Sequence, residues 1–404
     1  MYMRRLNAIV VVAMVLVFSS CVSDELSDAF SERGAENDKN ILLDSSDALY
    51  SEIVQLGVTD FAEVSHSMHQ RISNVELSGN GQFVEALIGL GQLMYEAESS
   101  DCYFDELMDL TFDKEYYCNV LYAEGTGVWH WDAIQNNFVK TEEHDTEVIF
   151  IFPATDNVEG DMAVLSITEL TIYDGLFPGK GSVLEDGTVI NNALEALRFN
   201  IKVNDELILT SNVLSTFSTS GYYDDVAMTF NPTPYNLKGE MARTDDKGYW
   251  VFAFSNDDEL ILNQDFNLSI DINNEQMPIS SIDNDLQIKN IVIETAAHTG
   301  KLYNELLIVD ELTEGSEEHA TSLASVLNTY ADMFVRYSGD NSIIAKVDAV
   351  TKFDADKSNW WVDLEFEFSD GSRVSGDEFF DDYLTNFKLE LEHMVGEFGC
   401  KFGI

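Results

Sequence analysis

Three sets of residues in this sequence have types and spacing that suit chemistry. Glu63, His66 and His69 recur every third residue in "EVSHSMHQ". On a helix they share a face, and imidazole with carboxylate is a ligand set for a divalent metal. Phe61, Val64 and Met68 already mark the buried side of that helix, so a solvated polar face is the stronger reading. Asp354, Asp356, Ser358 and Glu365 fall at positions one, three, five and twelve of "DADKSNWWVDLE", the oxygen spacing of a calcium loop. Asn359 stands where that loop uses glycine and the flanks alternate like strands, which favours a β-hairpin with an acidic tip. The third set is aromatic. Of the five tryptophans, Trp129 and Trp131 share a strand face and Trp360 and Trp361 oppose. An exposed Trp129–Trp131 platform would stack on sugar rings or dock an apolar partner, while core packing is the commoner use.

Other chemistry finds less support. There is no phosphate-binding loop, no G-x-S-x-G elbow and no H-E-x-x-H pair. Paired carboxylates hydrolyse glycosides, but among 73 acidic residues close pairs arise by chance. No catalytic residue and no cofactor is assigned. Cys102, Cys118 and Cys400 lack zinc-site spacing. Cys102 and Cys118 are open to two readings, a disulfide in an oxidising compartment or two buried thiols.

The fourth cysteine has a more specific context. Arg4 and Arg5 precede an apolar run from Leu6 to Phe18, broken only by Asn7. That run is shorter than the roughly 20 residues needed to span a bilayer and has the length of a signal-peptide core. Ser19 and Ser20 then sit directly before Cys21. The order resembles the lipobox of bacterial lipoproteins, with Phe18 where leucine is usual. The resemblance implies a thioether-linked diacylglycerol on Cys21, cleavage before it and acylation of the new terminus. The acyl chains on Cys21 would then be the membrane contact, each buried methylene contributing about 0.8 kcal/mol. Asp24, Glu25 and Asp28 resemble the export signal of surface lipoproteins in the Bacteroidota, and they read equally well as an acidic tether.

Charge excludes one class of partner. Removing residues 1–20 takes away Arg4 and Arg5 and no acid, leaving 73 acidic against 20 basic residues, a formal −53. Such a surface repels phosphate backbones, so nucleic acid is not a partner. It also opposes adsorption to anionic lipid. With 45% hydrophobic and 11% aromatic residues the chain still has ample material for a core. The charge therefore lies on the surface of a folded body; screening in a saline habitat is the preferred explanation, and an acidic ligand-binding face is the sharper alternative.

The elements that position these residues follow from periodicity. Residues 1–20 form the signal peptide, and 21–40 read as a flexible acidic tether. Residues 41–114 carry helical spacing: Leu49, Ile53 and Leu56; Phe61, Val64, Met68 and Ile72; Phe83, Leu87, Leu90 and Met94. From 115 to 310 the period is two, in runs such as "TEVIFIFP", "ALRFNIKVN" and "YWVFAFSN" split by Asn, Asp and Gly. No helix of adequate length separates the strands between "VIFIFP" and "ELILNQDF", so they pair antiparallel. "DELIL" occurs at Asp205–Leu209 and Asp258–Leu262. Both copies are expected to begin the return strands of hairpins with exposed turns at Val203–Asp205 and Asn256–Asp258. Duplication and shared hairpin chemistry both account for the echo. Residues 311–404 read as helix, hairpin, helix, with Ala320, Leu323, Leu327, Tyr330 and Phe334 on one helix and Phe379, Tyr383, Phe387, Leu391 and Met394 on the other.

The class is α+β: N-terminal helices, a central mainly antiparallel β-sheet and a C-terminal helix-hairpin-helix unit. The pattern "GVWHWDAIQNNFVKT…VIFIFPA…MAVLSIT" resembles unassigned Bacteroidota envelope lipoproteins with a β-rich body, for which no activity is established. The function expected is that of a lipid-anchored envelope protein, outer-membrane in location, that binds a protein or glycan without catalysis. A carboxylate-dependent glycan hydrolase and a carrier of an apolar ligand are the alternatives.

Overall fold

The computed structural model describes residues 29–73, 126–155, 157–172, 182–183, 189–190, 194–217, 223–244, 246–270, 279–355 and 357–384. Cys21, Cys102, Cys118 and Cys400 lie outside them. The described part is mostly β with five helices, and its sheet strands are almost all antiparallel. Two compact units divide it: a central unit from Glu52 to Glu240, and a C-terminal unit built from residues up to Ser51 together with those from Met241 onward.

The central unit holds the helix α2 (Asp60–Ser73) and the strands β1 (Gly127–Asp132), β2 (Asn137–Glu142), β3 (Val148–Pro153) and β4 (Met162–Ile172). The short β5 (Ser182–Val183) and β6 (Val189–Ile190) pair with each other. Then come β7 (Leu194–Val203), β8 (Glu206–Phe217), β9 (Tyr223–Pro232) and β10 (Tyr235–Arg243), the last crossing the unit border. Its strands run in the order β10-β9-β8-β7-β4-β3-β1-β2. Alternation in "VIFIFP" buries Val148, Phe150 and Phe152, and α2 covers that side with Phe61, Ala62 and Val64. Phe138 meets Phe150 edge-on at 5.1 Å within the same cluster. Each such buried side chain contributes about 1.5–3 kcal/mol.

One pair departs from the expected antiparallel order. β1 lies between β2 and β3 and runs parallel to β3, Val128 opposite Ile149. A crossover helix is unnecessary here. The antiparallel β2 returns the chain to the end where β3 must start, and the loop 143–147 only passes the beginning of β1.

The C-terminal unit opens with most of α1 (Ala35–Leu56), divided at Ser51. Its strands are β11 (Lys247–Asn256), β12 (Glu259–Ile270), β13 (Ile279–Ile288), β14 (Ile291–Ala297), β15 (Ala331–Tyr337), β16 (Ile343–Asp354), β17 (Asn359–Phe368) and β18 (Arg373–Ser375), ordered β18 to β11 as a meander. Between β14 and β15 come α3 (Thr299–Val309) and α4 (Glu317–Tyr330), and α5 (Gly376–Tyr383) follows β18. The cross-strand partners Ile288–Ile291 and Ile293–Val335 are almost fully buried. Ser375 and Glu378 form a reciprocal cap at the start of α5, and Phe379 stacks on Phe366 at 3.7 Å.

Three local readings change. The acidic segment 21–40 is not a tether throughout, because residues 29–31 bridge to β16 and α1 begins at Ala35. Side-chain hydrogen bonds hold it where apolar residues are few. Phe334 is not on α4: the chain turns extended at Ala331, and β15 buries Met333, Val335 and Tyr337 in register with β14. Ladder pairing there outweighs the helical spacing of Leu327, Tyr330 and Phe334. α3 was not anticipated, although Leu302, Leu306 and Val309 recur at helical intervals. The expected continuation to Phe387, Leu391 and Met394 lies outside the described residues.

The "DELIL" copies both begin return strands, and their turn positions and bulges match, although Asp258 does not share the positive φ of Asp205. In each hairpin the register shifts at the same place, so that Ile208 and Ile261 occupy equivalent bulges. Both isoleucines are buried. Asn204, Asp205 and Asp257 take positive φ of 50°, 66° and 48°, the left-handed region that Asn and Asp tolerate in two-residue turns. Asp205, Asp257 and Asp258 are exposed, and Val203 and Asn256 are half-buried.

Candidate interaction surface

The residues singled out for chemistry do not converge. On α2, Glu63 and His66 are exposed while Phe61, Val64 and Ser67 face inward. His69's side chain lies outside the described residues. Among the described residues, no group of three or more His, Cys, Asp and Glu is arranged to hold a metal ion.

The calcium-loop spacing is folded out by a hairpin. Asp354 pairs with Asn359 across the turn, and Ser358 sits at φ 49°. Asp354 is engaged by Lys357 at 3.0 Å. Glu365 is six places along β17 from Asn359, about 20 Å at 3.3 Å per residue. There it bonds Lys352 and Arg373, which hold its carboxyl below the usual range, the hydrogen bond from Lys352 being the main cause. The first and twelfth ligands therefore cannot meet. Asp356 lies outside the described residues.

Trp129 and Trp131 share a face, and that face is core. Trp129 is buried, and Trp131 meets Phe138 edge-on at 5.2 Å, beneath the Arg71 guanidinium at 5.8 Å. Core packing, the commoner use, is what this face shows. Arg71 itself is buried, donating to the Ser67 carbonyl at 2.8 Å and the Thr155 carbonyl at 3.0 Å.

The exposed tryptophans are Trp250 and Trp361, at 44% and 41%. Trp250 belongs to the β11–β12 hairpin of the C-terminal unit, where Tyr249 is exposed to a similar degree. Trp250 stands opposite Phe266, and Gly248 opposite Leu268. A Cβ on Gly248 would lie 3.0 Å from Leu268 Cδ1, so glycine there lets the leucine lie flat beside the aromatic pair. Tyr249 alternates to the other face. "KGYWVFAF" carried this signal: apolar residues occupy both parities, which a strand with one solvated face does not do.

The other face is acidic. Asp265 stands opposite Asp285, and Asp285 opposite Glu294. Glu294 is buried and forms an ion pair with Arg336, which also donates to the Asn341 carbonyl at 3.1 Å. Burial pushes the Glu294 carboxyl up; Arg336 draws it back, and Asp285 and Asp332 add to the rise. Arg336 makes this row a neutralised structural feature of the sheet rather than an open charge sink.

No family model matches this chain, and no curated protein matches it. Among solved structures, a porin-like protein from Bacteroides vulgatus ATCC 8482 is 11% identical, with 52% of this chain and 95% of that chain covered at a TM-score of 0.19.

Proposed function

We propose that this chain is a lipid-anchored envelope protein of the outer membrane that binds a protein or glycan partner without catalysing a reaction. The observation that carries the binding part is the β11–β12 hairpin, where Trp250 is 44% exposed on the face it shares with Phe266. Exposed tryptophan and tyrosine are the side chains that concentrate binding energy at interfaces and stack on sugar rings. The anchor rests on the Arg4-Arg5, apolar run, Ser19-Ser20, Cys21 order in the sequence.

The test places a photo-crosslinking residue at Trp250 in the full chain in its native envelope. A discrete adduct, absent when the same residue replaces exposed Lys357, supports the reading. Equal, diffuse labelling at both positions contradicts it. Turnover of an envelope glycan by the purified protein would favour the hydrolase instead.

A further inference from the structure

The entry of the chain into the C-terminal unit fixes which end of that unit an anchor would hold. Ile343 N–H donates to the Ala29 carbonyl at 3.0 Å, and Ser31 N–H donates to the Ile343 carbonyl at 2.8 Å. Residues 29–31 thus lie alongside the start of β16, next to the turn from β15. Arg33 reaches Asp340 in that turn at 3.0 Å and covers the Tyr337 ring at 4.0 Å. The Ser342 hydroxyl and N–H, with Arg33, hold the Asp340 carboxyl down to about 2. Ser31 and Tyr337 both donate to the buried Asp38 carboxylate, at 3.0 and 2.7 Å. The neighbouring β13–β14 turn joins the same end, Ser338 N–H donating to the Asn290 carbonyl at 3.0 Å.

Only eight residue steps separate Cys21 from Ala29. A fully extended chain of that length reaches at most about 29 Å. We propose that the β15–β16 turn is the membrane-proximal end of the C-terminal unit, held against the surface of a phospholipid bilayer by this short leader. The inference rests on the lipid-anchor reading of Cys21 and adds the orientation to it. Arg33 and Lys289 at this end are paired with Asp340 and Glu259, and Asp257, Asp258 and Asp370 share the end, so the short leader and not charge sets the approach.

The opposite end is well separated. β16 runs twelve residues from Ile343 to Asp354, about 40 Å at 3.3 Å per residue. Gly339 and Lys357 therefore report on the two ends. A side chain at Gly339 meets open space, and Lys357 is exposed. Azidophenylalanine at either position, labelled with a donor dye, leaves Cys21 free for processing. The full lipidated chain is then placed in phosphatidylethanolamine–phosphatidylglycerol vesicles carrying a headgroup acceptor. Circular dichroism checks that each variant folds. Energy transfer at Gly339 is expected to exceed that at Lys357 by about twofold or more. Equal or reversed transfer in floating protein overturns the orientation alone. Protein that does not float with the vesicles overturns the anchor, and the orientation with it. A Gly-Ser spacer of about 20 residues inserted before Ala29 should abolish the difference. A difference that survives the spacer shows that the leader does not set the approach and also overturns the proposal.

Discussion

The Tyr337 hydroxyl donates to the Asp38 carboxylate at 2.7 Å and joins β15 to the first turn of α1. Asp38 is fully buried, and Tyr337 and Ser31 both donate to its Oδ1. Removing the hydroxyl in Tyr337→Phe is expected to cost about 1.5–3 kcal/mol, the range for a hydrogen bond to a charged group. Urea denaturation of wild type and variant measures it. A loss below about 0.5 kcal/mol would mean that Ser31 alone satisfies the carboxylate.

The same bond sets an alkaline limit. Burial, then the hydrogen bond to Asp38, push the Tyr337 phenol well above its usual range. Burial and the nearby Glu52 push Tyr235 up to about 12. Both phenols are raised in the folded state, so the folded chain keeps protons that the unfolded chain releases. Their contribution is complete below pH 10, the ordinary phenol value, and is lost as pH rises through the folded values. The denaturation midpoint should therefore fall above pH 10, and less steeply in Tyr337→Phe. An identical slope in the variant would contradict this assignment.

Arg336 is the partner that makes a buried Glu294 tolerable. Arg336→Met strands that carboxylate and is expected to cost about 3–5 kcal/mol, whereas replacing both members with apolar residues should recover most of the loss. In the single variant the raised Glu294 carboxyl is penalised when charged, so stability should improve as pH falls from 7 to 5. A flat profile would show that water reaches Glu294.

Several of these features were legible in the sequence and several were not. Alternation located β3, β7, β11 and β12, and the repeated "DELIL" located two hairpins whose turn positions and bulges coincide. Spacing also placed Phe61, Val64 and Met68 on the inner side of α2. β15 was hidden because Leu327, Tyr330 and Phe334 mimic a helical stripe where the chain already pairs with β14. The ordered segment from Ala29 was hidden because it is held by Asp38, Tyr337 and backbone bonds, which leave no hydrophobic pattern. Trp129 and Trp250 both sit in alternating runs. Periodicity tells which neighbours share a tryptophan's face, but not whether a helix covers it.

The bulge isoleucines test whether the two hairpins are mechanically equivalent. Ile208→Ala and Ile261→Ala should each cost about 2–5 kcal/mol, the usual loss for a fully buried isoleucine. A surface-like loss below about 0.5 kcal/mol at either position would remove that hairpin from the core of its unit.

Surface charge gives a bulk prediction. At a formal −51, self-repulsion opposes the folded state, and the Debye length falls to about 3 Å at 1 M salt. The melting temperature should rise with NaCl up to molar concentration. A flat or falling curve would mean that the acids are already paired or well separated.

The most direct test of the proposed function is the chemistry of the mature amino terminus. Mass spectrometry of protein purified from membranes should find a terminal peptide that begins at Cys21 and carries a thioether-linked diacylglycerol, and Cys21→Ala should abolish it. An unmodified mature terminus on membrane-purified wild-type protein would contradict the lipid anchor.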